Sequence, residues 1–189
     1  MNADPAGSSE LGAGAFAEWL EGMQRALRGE QDSDVPCGSC TACCESSQFI
    51  HIEPDEATAL AHIPRALQFP APGLPAGNVL LGYDDRGRCP MLTDAGCSIY
   101  EHRPRACRMY DCRIFAATGI AVDEPAKARV ARQVQRWRFA LPTARDRRAR
   151  DAVRARAAQL MDSASQLTPG THEPSMVELA VRSVRAVTP

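Results

Sequence analysis

The sequence predicts an α+β fold that is mainly helical, with a small β-hairpin, irregular loops and C-terminal helices. Apolar residues recur at helical spacing near the start of the chain and through its last third. Short apolar runs between turn residues fill the region from 48 to 97. Eight cysteines lie in two blocks, at 37–44 and at 89–112. A chain of 189 residues is long enough for one domain with its own core and additional helices.

The N-terminal segment is predicted to contain a tail and one helix. Residues 1–12 are mostly small and polar, which predicts disorder. The following apolar residues share one helical face: Phe16, Trp19, Leu20, Met23 and Leu27. Gly29 is placed to end this helix.

The middle region is predicted to hold short strands and one short helix. Residues 48–52 form a strand candidate, and the acidic run at 53–56 begins a helix with Pro54 at its first position. Pro64 limits this helix, and residues 70–78, rich in proline and glycine, form a loop.

A hairpin is predicted next. Residues 79–83 form a strand, 84–87 form a turn, and 88–92 form the partner strand. A second turn at 93–96 leads to Cys97.

The last third is predicted to be helical. One helix begins at Glu124 and Pro125 and ends at Pro142, with an apolar face made by Val130, Val134, Trp137 and Leu141. A capping box from Thr143 to Asp146 begins a second helix that runs to about Met161. A turn at 168–170 and a final helix over 174–187 follow.

The composition and the N-terminal residues bear on the cellular compartment that is expected for the protein. No apolar run approaches the roughly 20 residues that cross a bilayer. The N-terminus has neither the basic start nor the apolar stretch of a secretory signal, so a cytoplasmic protein without a membrane partner is expected. In a reducing compartment, clustered cysteines favour metal binding or redox chemistry over structural disulfides.

Charge is divided unevenly along the chain. The net charge is −1, but residues 1–100 carry 14 acidic and 5 basic residues, whereas 101–156 carry 6 acidic and 15 basic ones. Such a distribution could attract an acidic partner, or the two regions could neutralise each other. The arginines at 145–156 could contact nucleic acid, but few aromatic residues accompany them and a solvated helix face is favoured.

The first cysteine block has the spacing of a metal clamp. Two residues between cysteines allow a tight turn to aim both sulfurs at one ion. Cys37, Cys40 and Cys44 would share one face of a helical turn. Cys43 would lie about 100° from Cys44, so the adjacent cysteines are expected to point apart.

The second block is Cys89, Cys97, Cys107 and Cys112, with gaps of seven, nine and four residues. The fold, rather than local spacing, would gather these thiols. All eight cysteines are predicted metal ligands, either in two four-cysteine sites or in one site drawn from both blocks. Zinc and an iron–sulfur cluster are equally compatible with thiolate ligands. The loops are therefore expected to be pinned by metal, which would supply folding free energy.

Arginines surround the second block and could balance the negative charge of a thiolate site. They are Arg103, Arg105, Arg108 and Arg113. The alternatives are that these arginines are solvated, that the cysteines are core residues or disulfides, or that a Cys-x-x-Cys pair does redox chemistry. The strand–helix context of a thioredoxin-like redox unit is absent from the sequence. His102, between Cys97 and Cys107, is a further candidate ligand, although eight cysteines leave little need for it.

The combined pattern from Cys37 to Cys112 resembles the YkgJ-type cysteine-cluster family, which is described as zinc- or iron-chelating. The match covers about residues 36–115 and includes Tyr100, Arg103, Pro104 and Arg108. The resemblance implies chelation by the cysteines, with Arg103, Arg108 and Tyr100 around them. The cysteine pattern is also similar to that of flagellin lysine methylases. This second resemblance implies that the bound group could be an iron–sulfur cluster.

The expected organisation is an N-terminal tail and helix at 1–35, a cysteine-cluster metal-binding domain at 36–115, and a helical extension at 116–189. The expected function is binding of zinc or iron. The alternatives are an iron–sulfur-dependent enzyme, such as a lysine methylase-like one, and a zinc-stabilised module for an unidentified protein partner. No general base, nucleophile triad, phosphate loop or glycine-rich nucleotide loop stands out, so the sequence assigns no reaction.

Overall fold

The computed structural model describes residues 9–33, 35–167 and 173–187. It is 48% helical and 13% strand, which confirms the mainly helical α+β fold with small sheets and C-terminal helices. No helix in the described ranges is long and apolar enough to cross a membrane. The predicted turn at 168–170 lies outside the described residues.

The elements follow one another in chain order. The first half contains β1 (Leu11–Ala15), α1 (Phe16–Leu27), β2 (Ile50–Ile52), α2 (Ala57–His62), β3 (Gln68–Pro70) and β4 (Val79–Leu81). The second half contains β5 (Leu92–Thr93), β6 (Gly96–Cys97), α3 (Arg105–Met109), α4 (Arg113–Thr118), α5 (Ala128–Arg136), β7 (Trp137–Ala140), α6 (Ala144–Ser165) and α7 (Met176–Arg185). Single 3₁₀ turns lie at Ala42–Glu45, Arg65–Leu67, Tyr100–His102 and Pro125–Lys127.

The chain forms two compact units. The helical unit comprises Met1–Gln31, Asp111–Val122 and Ala131–Pro189. The cysteine unit comprises Asp32–Tyr110 and Asp123–Val130. The domain organisation predicted from the sequence, with boundaries after residues 35 and 115, stays a prediction.

The helical unit packs α1, α4, α6 and α7 around one core. The predicted periodicity of α1 is confirmed, since Phe16, Trp19, Leu20 and Met23 are all buried. Gly29 follows the helix with φ of +76°, as expected of a glycine just past a helix end. The capping box of α6 is also confirmed: Thr143 and Asp146 each bond to the other's backbone N–H.

A buried ion pair lies in the same core. The Asp111 carboxylate accepts hydrogen bonds from the Arg113 guanidinium at 2.8 Å and from Trp19 Nε1 at 2.9 Å. Asp111 and Arg113 are 3% and 8% exposed, respectively. Two charges removed from water in this way are tolerated because each has a partner of opposite charge.

The cysteine unit is built on an antiparallel sheet with strand order β2–β4–β3. A separate two-stranded hairpin, β5–β6, carries Cys97 opposite Leu92. The buried core is small and consists of Ile52, Ala59, Ile63, Leu81 and Ile99. Cys89 and Cys97 pack against it.

Two strand predictions for the cysteine unit are corrected. Residues 88–92 do not pair with β4, because β2 and β3 already occupy both of its edges. The two-stranded hairpin instead forms around the predicted turn at 93–96. Helix α2 begins at Ala57 rather than at Pro54, and the Glu56 side chain accepts a hydrogen bond from the backbone N–H of Glu53.

Two predictions for the helical unit are also corrected. The helix expected to reach Pro142 ends at Arg136, and Trp137–Ala140 is a strand. This strand pairs in parallel with Leu11–Ala15, so residues 11 and 12 are ordered. Both changes have one cause: the two segments satisfy each other's backbone hydrogen bonds across more than a hundred residues of chain, a pairing that local periodicity does not reveal.

Candidate metal centre

The first cysteine block is a pair of tight turns. The backbone N–H of Cys40 bonds to the carbonyl of Cys37 at 3.0 Å, and Cys43 and Cys44 lie in the 3₁₀ turn Ala42–Glu45. The Sγ atoms of Cys43 and Cys44 are 4.0 Å apart. The expectation that these two side chains point apart is therefore wrong. The backbone angle between neighbouring residues fixes where each Cβ points, but rotation about χ1 still brings the two sulfurs together.

Backbone hydrogen bonds join the two blocks. The N–H of Cys89 donates to the carbonyl of Cys44 at 2.7 Å. The N–H of Ser47 donates to the carbonyl of Gly87 at 2.9 Å. Both Ser47 and Gly87 have left-handed backbones, with φ of +52° and +75°. These two residues hold the end of the first block against the start of the second, and no cysteine spacing indicates their role.

Five thiols are linked because the charge of one shifts the pKa of another, and they are called here the thiol cluster: Cys43, Cys44, Cys89, Cys97 and Cys107. Burial, together with the nearby thiols of Cys89, Cys43 and Cys97, raises the pKa of the Cys107 thiol to about 12. Burial likewise raises the pKa of Cys89, with contributions from Cys97 and Cys43.

The two adjacent cysteines of the cluster have pKa values shifted in opposite directions. The hydrogen bond from Cys44 lowers the pKa of Cys43 to about 7. The same hydrogen bond raises the pKa of Cys44, and the charges of Cys43, Cys89 and Cys107 act in the same direction. The fold thus brings together cysteines from both blocks, close enough to repel one another when ionised.

The other three cysteines differ in their surroundings. Cys37 is exposed and Cys40 is half-buried, both at the start of the first block. Cys112 is buried and belongs to the helical unit, where its Sγ accepts a hydrogen bond from Trp137 Nε1 at 3.2 Å. The predicted ligand role of these three residues, like that of the five cysteines in the thiol cluster, stays a prediction.

Four arginines are predicted to surround the second block, and Arg103 is the one whose charge acts on the thiol cluster. Its charge lowers the pKa of both Cys43 and Cys107, after larger effects of hydrogen bonding and burial. Tyr100 holds it in place: Arg103 Nε donates to the Tyr100 carbonyl at 2.8 Å, and the guanidinium lies 3.6 Å from the ring centroid. This stacked geometry is a cation–π contact.

The remaining arginines of this region form ion pairs with carboxylates. Arg108 Nε bonds to Asp32 at 3.1 Å, and its Nη1 donates to the carbonyl of Arg103. Arg105 pairs with Glu53 and Asp55. Arg113 forms the buried pair with Asp111 that lies in the helical unit.

His102, a candidate metal ligand from the sequence, contacts another histidine. The ring of His102 stacks on that of His62, with centroids 3.7 Å apart and planes inclined by 21°. Stacked faces point the ring nitrogens sideways rather than toward a shared ion. Local spacing does not indicate this pairing, because the two residues are 40 positions apart.

The donor chemistry of the thiol cluster fits zinc or iron. Thiolates are the soft ligands that both metals accept. In a tetrahedral site with metal–sulfur bonds of 2.3 Å, the sulfurs lie about 3.8 Å apart, close to the 4.0 Å between Cys43 and Cys44. As they stand, no three His, Cys, Asp or Glu side chains among the described residues are placed to hold a metal ion.

These features define a mixed α+β protein with a cysteine-rich unit whose two cysteine blocks meet. Residues 36–131 match the model of the CxxCxxCC family, described as a "putative zinc- or iron-chelating domain". The chain belongs to this family. No curated protein and no solved structure matches the chain.

Proposed function

We propose that the cysteine unit binds zinc or iron through the thiolates of the thiol cluster. The observation that carries this proposal is the meeting of five cysteines from both blocks, joined by the hydrogen bond from Cys89 to Cys44. Thiolates gathered from both blocks would repel one another, which contributes to the raised pKa values of Cys89 and Cys107. A bound metal ion removes that repulsion and satisfies the sulfur lone pairs at the same time.

The proposed site is a single one drawn from both blocks. The thiol cluster contains more sulfurs than the four that a tetrahedral site needs. Cys37, Cys40 and Cys112 remain predicted ligands, to be tested one by one. Arg103, held by Tyr100, would offset the negative charge of the metal–thiolate centre, and Arg108 would support the carbonyl of Arg103.

A structural role for the metal is favoured over catalysis. The cysteine unit has only a five-residue buried core, strands of two or three residues and long irregular connections. Such a unit gains much of its folding free energy from metal coordination. A zinc-stabilised module for protein interaction is consistent with this role. An iron–sulfur-dependent enzyme, including a lysine methylase-like one, is the alternative.

Metal and sulfide analysis distinguishes these alternatives. The protein would be purified without oxygen and assayed for zinc, iron and acid-labile sulfide. Stoichiometric zinc in a colourless, sulfide-free protein would rule out the iron–sulfur alternative. Iron with equimolar sulfide and visible absorbance would support it. A metal-free protein whose melting is insensitive to chelator would refute metal binding altogether.

Single substitutions test whether the blocks share one site. Cys44→Ser and Cys107→Ser should each abolish metal binding, because each removes a thiol from the same cluster. Loss of half the metal in each variant would indicate two sites instead. Ser39→Ala is a matched control, since it alters an exposed side chain within the first block but leaves every thiol in place.

Arg103→Gln should weaken metal binding by about tenfold, as is typical for a residue that supports metal ligands through their surroundings. Arg105→Gln is the control, because Arg105 pairs with Glu53 and Asp55. Competition with a chromophoric chelator measures both affinities. Equal affinities in the two variants would contradict the proposed role of Arg103.

A further inference from the structure

The helical unit contains a cavity of about 300 Å³. Aromatic side chains form much of its wall: Phe16, Trp137 and Phe139 line it, together with Leu141. The rings of Phe16 and Phe139 pack with centroids 4.9 Å apart. Phe16 and Trp137 are almost fully buried, so the half-buried Phe139 and Leu141 present most of the apolar surface to the cavity.

Three arginines line the same cavity. Arg138 lies on β7, whereas Arg150 and Arg154 lie four residues apart on α6 and so share one helix face. An apolar wall beside several guanidinium groups is a combination that suits an amphipathic anion.

The charges of these arginines are only partly balanced. Arg138 pairs with Glu10 at 2.9 Å and Arg150 with Asp151 at 2.7 Å, both through carboxylates that are largely exposed. Exposed pairs of this kind are weak. Arg154 has no carboxylate partner among the described residues, and its Nε makes a long 3.4 Å contact to the carbonyl of Ala117.

We propose that this cavity binds a small organic anion, with an aromatic or aliphatic body and one carboxylate, sulfonate or phosphate group. The body would lie against the aromatic wall, and the anionic group would be bound by Arg150 and Arg154, whose planar forks suit oxyanions. The volume lies at the small end of the range for ligand pockets, roughly 300–1,000 Å³. A compact ligand therefore fits better than an extended acidic polymer.

A pair of fluorescent dyes tests this site. Anilinonaphthalene sulfonate has an aromatic body and one anionic group, and phenylnaphthylamine has nearly the same body without the charge. The sulfonate dye should bind more tightly than the neutral dye, and its affinity should fall as salt is raised, because guanidinium–anion attraction is screened.

Substitutions then assign the dye to the cavity. Arg150→Gln combined with Arg154→Gln should weaken binding of the sulfonate dye at least tenfold, while leaving the neutral dye nearly unaffected. Arg148→Gln is the matched control, since it removes the same charge from α6 at an exposed position that does not line the cavity. Ala116→Leu, which adds volume at the cavity wall, should weaken both dyes.

Circular dichroism would establish that each variant keeps its helices. If Ala116→Leu fails to fold, the arginine substitutions still decide the matter. The proposal is overturned if the sulfonate dye does not bind, if both dyes bind equally, or if the double arginine variant binds the sulfonate dye as well as Arg148→Gln does. Equal loss of binding in the Arg148→Gln control would also overturn it, because it would indicate diffuse attraction to the basic helix.

Discussion

Replacing Gly87 with alanine should destabilise the cysteine unit through two separable effects. Gly87 has φ of +75°, a backbone conformation that costs other residues about 1–2 kcal/mol. A Cβ atom at this position would also lie 2.2 Å from Ser47 Oγ. Gly87 accepts the hydrogen bond from Ser47 that holds the two cysteine blocks together, so a shift of either residue disturbs the thiol cluster.

The size of the clash can be bounded from the structure. Only the hydroxyl of Ser47 is too close, because the next contacts, to Ser47 Cβ and N, are 3.5 and 3.7 Å. Rotating the hydroxyl away from a favourable χ1 costs about 0.5–1.5 kcal/mol. The total loss in the free energy of unfolding is therefore about 1.5–3.5 kcal/mol.

Gly73→Ala provides a matched control. Gly73 has nearly the same φ, +74°, in the same unit, but a Cβ there would meet no atom within 4 Å. This variant should lose only the backbone contribution, about 1–2 kcal/mol. The difference between the two variants then measures the contact with Ser47.

Thermal unfolding followed by near-ultraviolet circular dichroism of tyrosine is a suitable assay. All three tyrosines belong to the cysteine unit and both tryptophans to the helical unit, so the two signals report on different units. For a unit of this size, 1 kcal/mol corresponds to a Tm change of roughly 4–8 °C. Metal loading must be the same in every sample, because bound metal itself stabilises the unit.

A double-mutant cycle tests the contact between Ser47 and position 87 most directly. Ser47→Ala removes the hydroxyl but keeps the left-handed backbone, so it should recover about 0.5–1.5 kcal/mol when combined with Gly87→Ala. If the two substitutions are additive, the hydroxyl contact is not the cause. If Gly87→Ala and Gly73→Ala lower Tm equally, the steric argument also fails.

Three further predictions concern the helical unit and use tryptophan fluorescence during urea unfolding. Thr143→Ala should lower the free energy of unfolding by about 1 kcal/mol, whereas Thr143→Ser, which keeps a capping hydroxyl, should not. The Thr143 hydroxyl and backbone N–H groups hold the pKa of Asp146 at about 2, below its unfolded value. The charged form therefore stabilises the fold fully above about pH 4 and progressively less as pH falls to about 2. Wild type should accordingly exceed Asp146→Asn in stability near neutral pH, and this advantage should shrink in acid; a constant difference would contradict the assignment. Asp111→Ala should cost about 3–5 kcal/mol because it leaves the Arg113 guanidinium buried without its carboxylate, and a loss below 1 kcal/mol would show that water reaches this pair.

Local signals predicted several helices of this protein well. The apolar spacing of α1 and the capping box of α6 each involve residues within one or two turns, so the sequence displays them directly. The strand at Trp137–Ala140 is different, because its helical periodicity was outweighed by pairing with Leu11–Ala15. Local pattern cannot reveal such a partner, since the hydrogen bonds that decide the matter come from the other end of the chain.

The same distinction between local sequence and distant contacts applies to the candidate metal site. The sequence alone predicts the class of chemistry, because eight cysteines at close spacing are typical of a thiolate-bound metal. Only the tertiary structure decided which thiols meet. The turn at Ala42–Glu45 brings Cys43 and Cys44 together, and the bonds from Cys89 to Cys44 and from Ser47 to Gly87 join the two blocks. The physical reason is that residue type fixes what a side chain can bind, whereas its position beside distant partners depends on backbone hydrogen bonds that form only in the folded chain.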